Sequence, residues 1–219
     1  MSTIVPTITA YDVHEYRVQM ERVKSFAKRL HVDLMDGIFA PTKSPDIGSL
    51  WLPEKIMCDI HIMYQYPHHQ LRKLLALNPH MIIVQAEANE SSVDEIIKHL
   101  KKTKVKVGVS LLAETRADTR RVQELIKKVD HVLVFSGHLG YHGGVADLSL
   151  LDKVQDIRAL HNTVEIGWDG GINQDNAMAL YIGGVEVLNV GGAVQGAKDP
   201  LGAYTSLSNV VAKSIVEVL

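Results

Sequence analysis

The sequence predicts an α/β protein, a single (β/α)₈ barrel of the TIM type that spans residues 1–219. Short β-branched apolar runs alternate along the chain with longer segments of helical period, which predicts a parallel sheet with right-handed crossovers. Eight such apolar runs occur, the number that closes a barrel of this kind. A length of 219 residues suits one barrel domain better than two separate domains.

Each predicted strand is apolar on both faces, as expected for strands that helices cover. In chain order the predicted strands are Ile4–Ile8, Leu30–Leu34, Met57–Met63, His80–Gln85, Lys104–Leu111, His131–Phe135, Val164–Trp168 and Val185–Val190. Helices are predicted between them, for example over Val13–Lys28 and Val93–Lys102, where apolar residues recur at helical spacing. An open doubly wound sheet is the alternative, but it usually carries a glycine-rich turn after its first strand. Residues 6–10 contain no glycine, which favours the barrel.

The composition is that of an ordinary foldable protein, and it excludes some classes of partner. Apolar residues make up 46% of the chain and charged residues 22%. Because 23 basic residues are balanced by 25 acidic ones, we expect neither a nucleic-acid nor a membrane partner. The single cysteine, Cys58, cannot form an internal disulfide, and residues 1–6 lack the pattern of a secretion signal. We therefore expect a cytoplasmic protein, and a homo-oligomer is the expected assembly.

A first group of polar residues lies where barrel enzymes place their chemistry, at the carboxyl ends of the strands. His31 and Asp33 alternate on the second strand and therefore point to the same face. His61 lies near the end of the third strand, and Asp169 follows the seventh. Imidazoles and carboxylates together suit a divalent metal, and zinc, iron, manganese and cobalt all accept such ligands. The alternative for His31 and Asp33 alone is a satisfied polar pair at a strand end.

A second group consists of glycines that follow the last strands. Gly170–Gly171 follow the seventh strand and Gly191–Gly192 the eighth, where barrels often bind phosphate through backbone N–H groups. A third glycine-rich segment, Gly137–Gly144, follows the sixth strand and could close over the phosphate as a lid. Each segment by itself could also be a simple turn. Together the loops predict a small phosphorylated substrate.

Two acids on opposite sides of such a substrate indicate a particular reaction. A metal beside a carbonyl oxygen stabilises an enediolate, and a carboxylate can remove the adjacent proton. Asp33 and Asp169 are three strands apart around the predicted ring, so they can address opposite faces of a flat intermediate. If one removes a proton and the other returns it from the far side, the carbon is inverted. This arrangement predicts an epimerase.

Several motifs resemble those of the ribulose-phosphate 3-epimerase family. The resemblance runs from about Ile4 to Gly196, and its specific parts are His31–Gly37, Asp59–Met63, Ala86–Ala88 and Trp168–Asn173. It implies a ribulose-phosphate-binding barrel that binds a metal through His31, Asp33, His61 and Asp169. It also implies that Asp33 and Asp169 are the catalytic acid and base. The substrate contacts expected from it are Thr7, Met35, Met63, Gly140, Tyr141, His142, Gly143, Gly170, Gly171, Gly191 and Gly192.

The departures from the family pattern keep other substrates and functions open. Thr7 replaces a serine, Gln85 replaces a histidine, the lid sequence differs, and Gly192 replaces a serine. We expect an isomerase of the pentose phosphate pathway that converts D-ribulose 5-phosphate to D-xylulose 5-phosphate. A 3-epimerase of a six-carbon ketose phosphate such as allulose 6-phosphate, and a phosphosugar-binding barrel without turnover, are the alternatives. A related decarboxylase or aldolase would need a lysine within residues 33–36, where none occurs.

Overall fold

The computed structural model describes the chain from Thr3 to Glu217, with side chains described as far as residue 212. It is a closed barrel in which each parallel strand pairs with the next and the eighth pairs with the first. The strands are β1 (Thr3–Thr9), β2 (Arg29–Met35), β3 (Met57–Met63), β4 (Met81–Gln85), β5 (Lys106–Leu111), β6 (His131–Phe135), β7 (Glu165–Asp169) and β8 (Val187–Val190). The predicted (β/α)₈ architecture is confirmed.

Helices surround this barrel and cover the outer faces of its strands. Those within the described chain are α1 (Val13–Val23), α2 (Leu71–Ala76), α3 (Glu90–Leu100), α4 (Arg120–Ile126), α5 (Leu151–Leu160), α6 (Ala177–Ile182), α7 (Gly192–Gln195) and α8 (Pro200–Glu217). Short 3₁₀ turns lie at Ile47–Ser49, Pro67–Gln70 and Leu148–Leu150. Between residues 3 and 217, no helix has both the length and the hydropathy needed to cross a membrane.

Several element boundaries differ from the sequence prediction, and for two of them the structure shows the reason. Helix α1 ends at Val23 rather than Lys28, because the N–H groups of Phe26 and Ala27 bond back to the carbonyl of Val23. This turn closes the helix before β2 begins. Strand β8 begins at Val187 rather than Val185, because the N–H of Val185 bonds to a carbonyl of α6. In both places the turn between a helix and the next strand contains residues that the apolar pattern assigns to the helix or to the strand.

The hydrophobic core of the described residues has one large part and two small ones. The larger part lies between the outer faces of the strands and the helices, where residues such as Met20 of α1 and Ile60 of β3 are fully buried. One small part lies inside the barrel and consists of Met81, Ile83 and Leu133, and the other consists of Met35, Ala40 and Met63. Because side chains alternate along each strand, the remaining inward positions are available for polar residues at the two ends of the barrel.

The amino-terminal end of the barrel contains a buried ionic network. Arg29 Nε donates to Asp59 Oδ2 at 2.6 Å, and the Arg29 guanidinium makes two further bonds of 2.8 Å to the Glu165 carboxylate. His131 Nδ1 lies 2.8 Å from Glu165 Oε2, and His80 Nδ1 lies 2.7 Å from Asp59 Oδ1. These contacts join β2, β3, β6 and β7 at the end of the barrel opposite the candidate site.

Candidate active site

A cavity of about 320 Å³ opens at the carboxyl ends of the strands. Most of the residues predicted to bind metal or substrate line it, namely Thr7, Asp33, Met63, Gly140, Tyr141, His142, Gly143, Asp169, Gly170, Gly171, Gly191 and Gly192. Met35, His31 and His61 do not line it: Met35 is fully buried against Ala40 and Met63, and both histidines are 0% exposed. The cavity lies where barrel enzymes carry their active sites, so its lining residues define the candidate site.

The four predicted metal ligands meet at this end of the barrel. Parallel pairing of β2 with β3 sets Asp33 beside His61, and His61 Nδ1 lies 3.0 Å from Asp33 Oδ1. His31 Nε2 lies 3.3 Å from Asp33 Oδ1 and 3.6 Å from Asp169 Oδ2. One ligand atom from each of the four residues falls within 4.8 Å of all the others, and all four residues are buried. Three strands thus deliver two imidazoles and two carboxylates to a single point.

The chemistry of this cluster fits a divalent cation. His31 is 0% exposed, yet neither of its ring nitrogens has a hydrogen-bond partner among the residues that the structure describes. A buried imidazole normally has such partners, and His31 Nε2 is directed at two carboxylates. A cation held by these nitrogens and oxygens would satisfy His31 and neutralise the paired acids.

The two carboxylates of the cluster differ in their affinity for a proton. Burial by itself would raise the pKa of Asp33, but its close contacts with His31 and His61 outweigh burial and hold that pKa well below the usual range. Burial, together with the negative charge of Asp33, raises the pKa of Asp169 well above the usual range. Asp169 therefore binds a proton much more readily than Asp33 does, a difference typical of acid–base pairs.

The two histidines of the cluster also differ in the direction in which their pKa values are shifted. Burial lowers the pKa of His61, and its attraction to Asp33 does not compensate for that loss. Burial also acts to lower the pKa of His31, but the contact with Asp33 and the negative charges of Asp33 and Asp169 raise it overall. His61 is therefore the imidazole better suited to remain neutral, the state in which histidine binds metals.

Three uncharged residues hold this cluster in position. Thr9 Oγ1 donates to Asp33 Oδ2 at 2.7 Å. Gln19 of α1 binds the backbone of Thr9 from both sides, accepting from its N–H at 3.0 Å and donating to its carbonyl at 2.8 Å. Gln85 Nε2 lies 2.9 Å from His61 Nε2. These contacts orient one acid and one imidazole of the cluster.

The glycine loops form another wall of the cavity. Gly170 and Gly171 have φ values of +111° and +70°, and a Cβ on either would overlap the backbone of the neighbouring segment, at Gly137 and Ala146 respectively. Only glycine allows these loops to approach so closely. A Cβ on Gly192 would meet nothing within 4 Å, so this residue presents its backbone to open space.

The predicted lid is connected to loops on the opposite rim. The Thr42 hydroxyl donates to the carbonyl of Gly140, and Tyr11 Oη lies 3.4 Å from the same carbonyl. The rings of Tyr11 and His142 meet edge to face with centroids 5.2 Å apart, and His142 Nε2 lies 3.4 Å from Glu15 Oε1. The lid segment is therefore held across the mouth of the cavity by contacts with the β1–α1 and β2–β3 regions.

Sequence reasoning assigned no role to several residues of the site, and three of these are polar residues on strands. Thr9 and Asn189 line the cavity, and Gln85 contacts His61 without having been assigned a role. Thr9 lies two residues after Thr7, so strand alternation would have placed both on one face. Asn189 is the single strongly polar residue in the apolar run of β8, two positions before Gly191. An isolated amide in a buried strand is the signal that could have identified it.

Comparison with known proteins identifies one family whose members are similar to this chain over most of its length. The model of the ribulose-phosphate 3 epimerase family matches residues 3–195. The ribulose-phosphate 3-epimerase of Mycobacterium tuberculosis is 28% identical over 211 residues, which cover 93% of this chain and 90% of that protein. That of Helicobacter pylori is 28% identical over 215 residues, covering 94% and 97%. The cytoplasmic isoform from Oryza sativa is 26% identical over 202 residues, covering 90% and 89%.

Solved structures share the fold at much lower sequence identity. The 3-hexulose-6-phosphate synthase of Salmonella typhimurium superposes with a TM-score of 0.71 at 16% identity, over 96% of this chain and 99% of that one. The 3-keto-L-gulonate-6-phosphate decarboxylase of Vibrio cholerae has a TM-score of 0.71 at 12% identity, over 97% and 98%. These similarities support the barrel architecture alone.

Proposed function

The chain belongs to the ribulose-phosphate 3-epimerase family, a family of isomerases, and from that premise we propose that it inverts C3 of a ketose phosphate. The proposed reaction converts D-ribulose 5-phosphate to D-xylulose 5-phosphate in the pentose phosphate pathway. One observation carries the proposal: two buried carboxylates of unequal proton affinity, Asp33 and Asp169, belong to one cluster of metal-type ligands at the cavity. Two such acids are what inversion at a carbon requires, because the proton must leave one face and arrive at the other.

His31, Asp33, His61 and Asp169 are the residues that would hold a divalent metal. When bound, such an ion polarises a carbonyl oxygen and stabilises negative charge on the adjacent oxygens of the substrate. The protein's part is to keep the ligand set in place. Thr9 orients Asp33 and Gln85 orients His61, so both would help to keep the site ready for its ion.

The proton transfers are assigned to the two acids. Asp33, ionised because of its low pKa, would remove the C3 proton on its side of the substrate and leave a planar enediolate. Asp169, which binds a proton readily, would supply one to the opposite face of C3. Asp33 is then protonated and Asp169 ionised, so the reverse reaction uses the same two groups with their roles exchanged.

The glycine loops are assigned to the phosphate. Gly170–Gly171 and Gly191–Gly192 line the cavity and have no side chains of their own, which suits an anion bound by backbone N–H groups. Tyr141 and His142 of the lid would complete the enclosure and limit the access of water. The substrate would therefore lie with its phosphate on the glycine loops and its carbonyl end at the ligand cluster.

The proposal is tested by NMR of metal-loaded protein incubated separately with D-ribulose 5-phosphate and a six-carbon ketose 6-phosphate. We expect the 3-epimer of the five-carbon substrate to accumulate, and to do so faster than that of the six-carbon substrate. Faster epimerisation of the six-carbon substrate would replace the proposed substrate. Binding of either sugar without epimer formation, in protein shown to contain its metal, would instead establish a phosphosugar-binding barrel.

A further inference from the structure

A buried amide in the cavity has no role in the chemistry assigned above. Asn189 lies on β8, lines the cavity, and is 2% exposed. Parallel pairing sets it level with Asp169 on β7 and with Val5 on β1. Because side chains at paired positions of neighbouring strands point to the same face, Asn189 lies beside one of the two proposed acids.

The amide of Asn189 is unsatisfied within the protein. Neither its Oδ1 nor its Nδ2 has a hydrogen-bond partner among the side chains and backbone that the structure describes. A buried amide without partners is destabilising, because water bound to it in the unfolded chain is not replaced. Such a group is well placed to bind a molecule that enters the cavity, since that molecule can supply both a donor and an acceptor.

The position of Asn189 indicates which part of a substrate it would meet. It lies level with Asp169, and Gly191 of the proposed phosphate loop follows it by two residues and lines the same cavity. In the proposed function C3 lies between the two acids and the phosphate lies on the glycine loops. The carbon between C3 and the phosphate-bearing carbon of a pentulose phosphate is C4, which carries a hydroxyl.

We propose that Asn189 binds the C4 hydroxyl of the ketose phosphate and makes that hydroxyl a requirement for efficient turnover. The amide accepts the hydroxyl proton through Oδ1, or donates to the hydroxyl oxygen through Nδ2. This inference rests on the proposed function, because the location of C4 follows from the assignments of C3 and the phosphate. It adds a residue that determines substrate specificity without taking part in proton transfer.

A second unpartnered group provides an internal comparison. The Thr7 hydroxyl is buried, lines the cavity, and has no hydrogen-bond partner within the described residues. Its Cβ would lie 3.7 Å from a Cβ placed on Gly191, so it belongs to the phosphate end of the cavity. Thr7 should therefore affect substrates with and without a C4 hydroxyl equally.

The test compares kcat/KM for D-ribulose 5-phosphate and for its 4-deoxy analogue in the wild type, Asn189→Leu, Asn189→Ala and Thr7→Val. We expect the wild type to prefer the hydroxylated substrate by about 10- to 100-fold. Asn189→Leu, which keeps a similar shape, should lose most of that preference by losing activity on the hydroxylated substrate alone. Asn189→Ala should lose the preference as well. This smaller side chain is the second variant, for the case in which leucine is too large for the site. Thr7→Val should lower kcat/KM for both substrates by a similar factor and so retain the preference for the hydroxylated one.

Thermal unfolding without substrate separates binding from a structural role. Asn189→Leu should melt at the same temperature as the wild type or higher, because it removes an unsatisfied buried amide. A preference unchanged in both Asn189 variants, or a lower melting temperature of Asn189→Leu with equal loss on both substrates, would overturn the inference while the epimerase reaction stands. Absence of epimerisation of either substrate by the wild type would overturn the proposed function and the inference together.

Discussion

At the scale of single residues, the site depends on a few side chains that share a strand face. His31 and Asp33 are two positions apart on β2, and pairing with β3 adds His61. These relations are visible in the sequence because alternation and strand ends are local properties. The raised pKa of Asp169 depends on a longer-range property, because it results from the burial of Asp169 beside the negative charge of Asp33.

Replacing Asp169 by asparagine tests the role of the second acid. Asp169→Asn keeps the shape of the side chain but cannot hold a transferable proton, so we expect epimerisation to fall by at least about 100-fold. Steady-state kinetics, with metal content and circular dichroism measured on the same sample, check this result. Asp175→Asn, an exposed change on the same loop, is the matched control and should retain full activity. Full activity of Asp169→Asn would rule out the two-acid mechanism.

Gln85 offers a test of metal binding that leaves the ligands intact. Its side-chain amide contacts His61 Nε2 at 2.9 Å, and the amide can present its oxygen to an N–H at that position. Gln85→Leu removes the contact, so we expect metal affinity to fall by about 10- to 100-fold, measured by competition with a chelator. Gln85→His introduces the residue common in the family and should retain most of the affinity. Equal affinity of Gln85→Leu and the wild type would show that Gln85 does not support His61.

At the scale of elements, the glycines in the loops after β7 and β8 have different surroundings. Gly171 has a positive φ and packs against the backbone of Val145 and Ala146, whereas Gly192 faces open space. The sequence shows both residues as members of glycine pairs but cannot distinguish them, because the collision partner of Gly171 comes from the lid segment. Contacts between loops depend on the closed barrel and therefore appear only in the structure.

This difference predicts that two similar substitutions change the stability of the fold by different amounts. Gly171→Ala must displace the adjacent lid backbone as well as adopt an unfavourable φ, so we expect it to lower the free energy of unfolding by about 1–3 kcal/mol and to raise KM. Gly192→Ala should change the free energy of unfolding by less than about 0.5 kcal/mol. Urea denaturation of both variants, followed by kinetics, makes the comparison. Equal stability of the two variants would contradict the packing described for the loops.

At the scale of the whole molecule, the barrel is closed by main-chain pairing and by the ionic network at its amino-terminal end. The fold class was predictable, because eight alternating units and apolar strands require only local patterns. The ionic network was not predictable, because Arg29 and Glu165 are 136 residues apart and nothing in the sequence around either residue indicates the other as its partner. Asn189 was missed for a related reason, because its lack of partners is a property of the assembled barrel.

The network also predicts how stability depends on pH. Burial by itself would raise the pKa of Glu165, but hydrogen bonds from Arg29 and His131 outweigh it and hold the pKa well below the usual range. A carboxylate whose pKa is lower in the folded state stabilises the fold above its unfolded pKa, about 4.3, and this contribution is lost as the pH falls through the folded pKa. Glu165→Gln should therefore lower the free energy of unfolding by about 1–3 kcal/mol at pH 7.

The difference between the wild type and Glu165→Gln should shrink as the pH falls below about 4, as measured by urea denaturation over a series of pH values. Glu124→Gln removes the exposed pair with Arg120 and should leave the urea midpoint unchanged at every pH. A difference between Glu165→Gln and the wild type that stays constant from pH 7 to pH 3 would mean that the Glu165 charge does not stabilise the fold.

The central claim, that two acids serve opposite faces of C3, is tested most directly by hydrogen exchange in D₂O. Metal-loaded Asp169→Asn is incubated separately with D-ribulose 5-phosphate and D-xylulose 5-phosphate, and deuterium at C3 is followed by NMR. Because Asp33 remains on one face, we predict that one epimer gains deuterium at C3 without inversion, while the other neither exchanges nor reacts. Formation of the opposite epimer at the wild-type rate, or exchange into both epimers alike, would contradict the account.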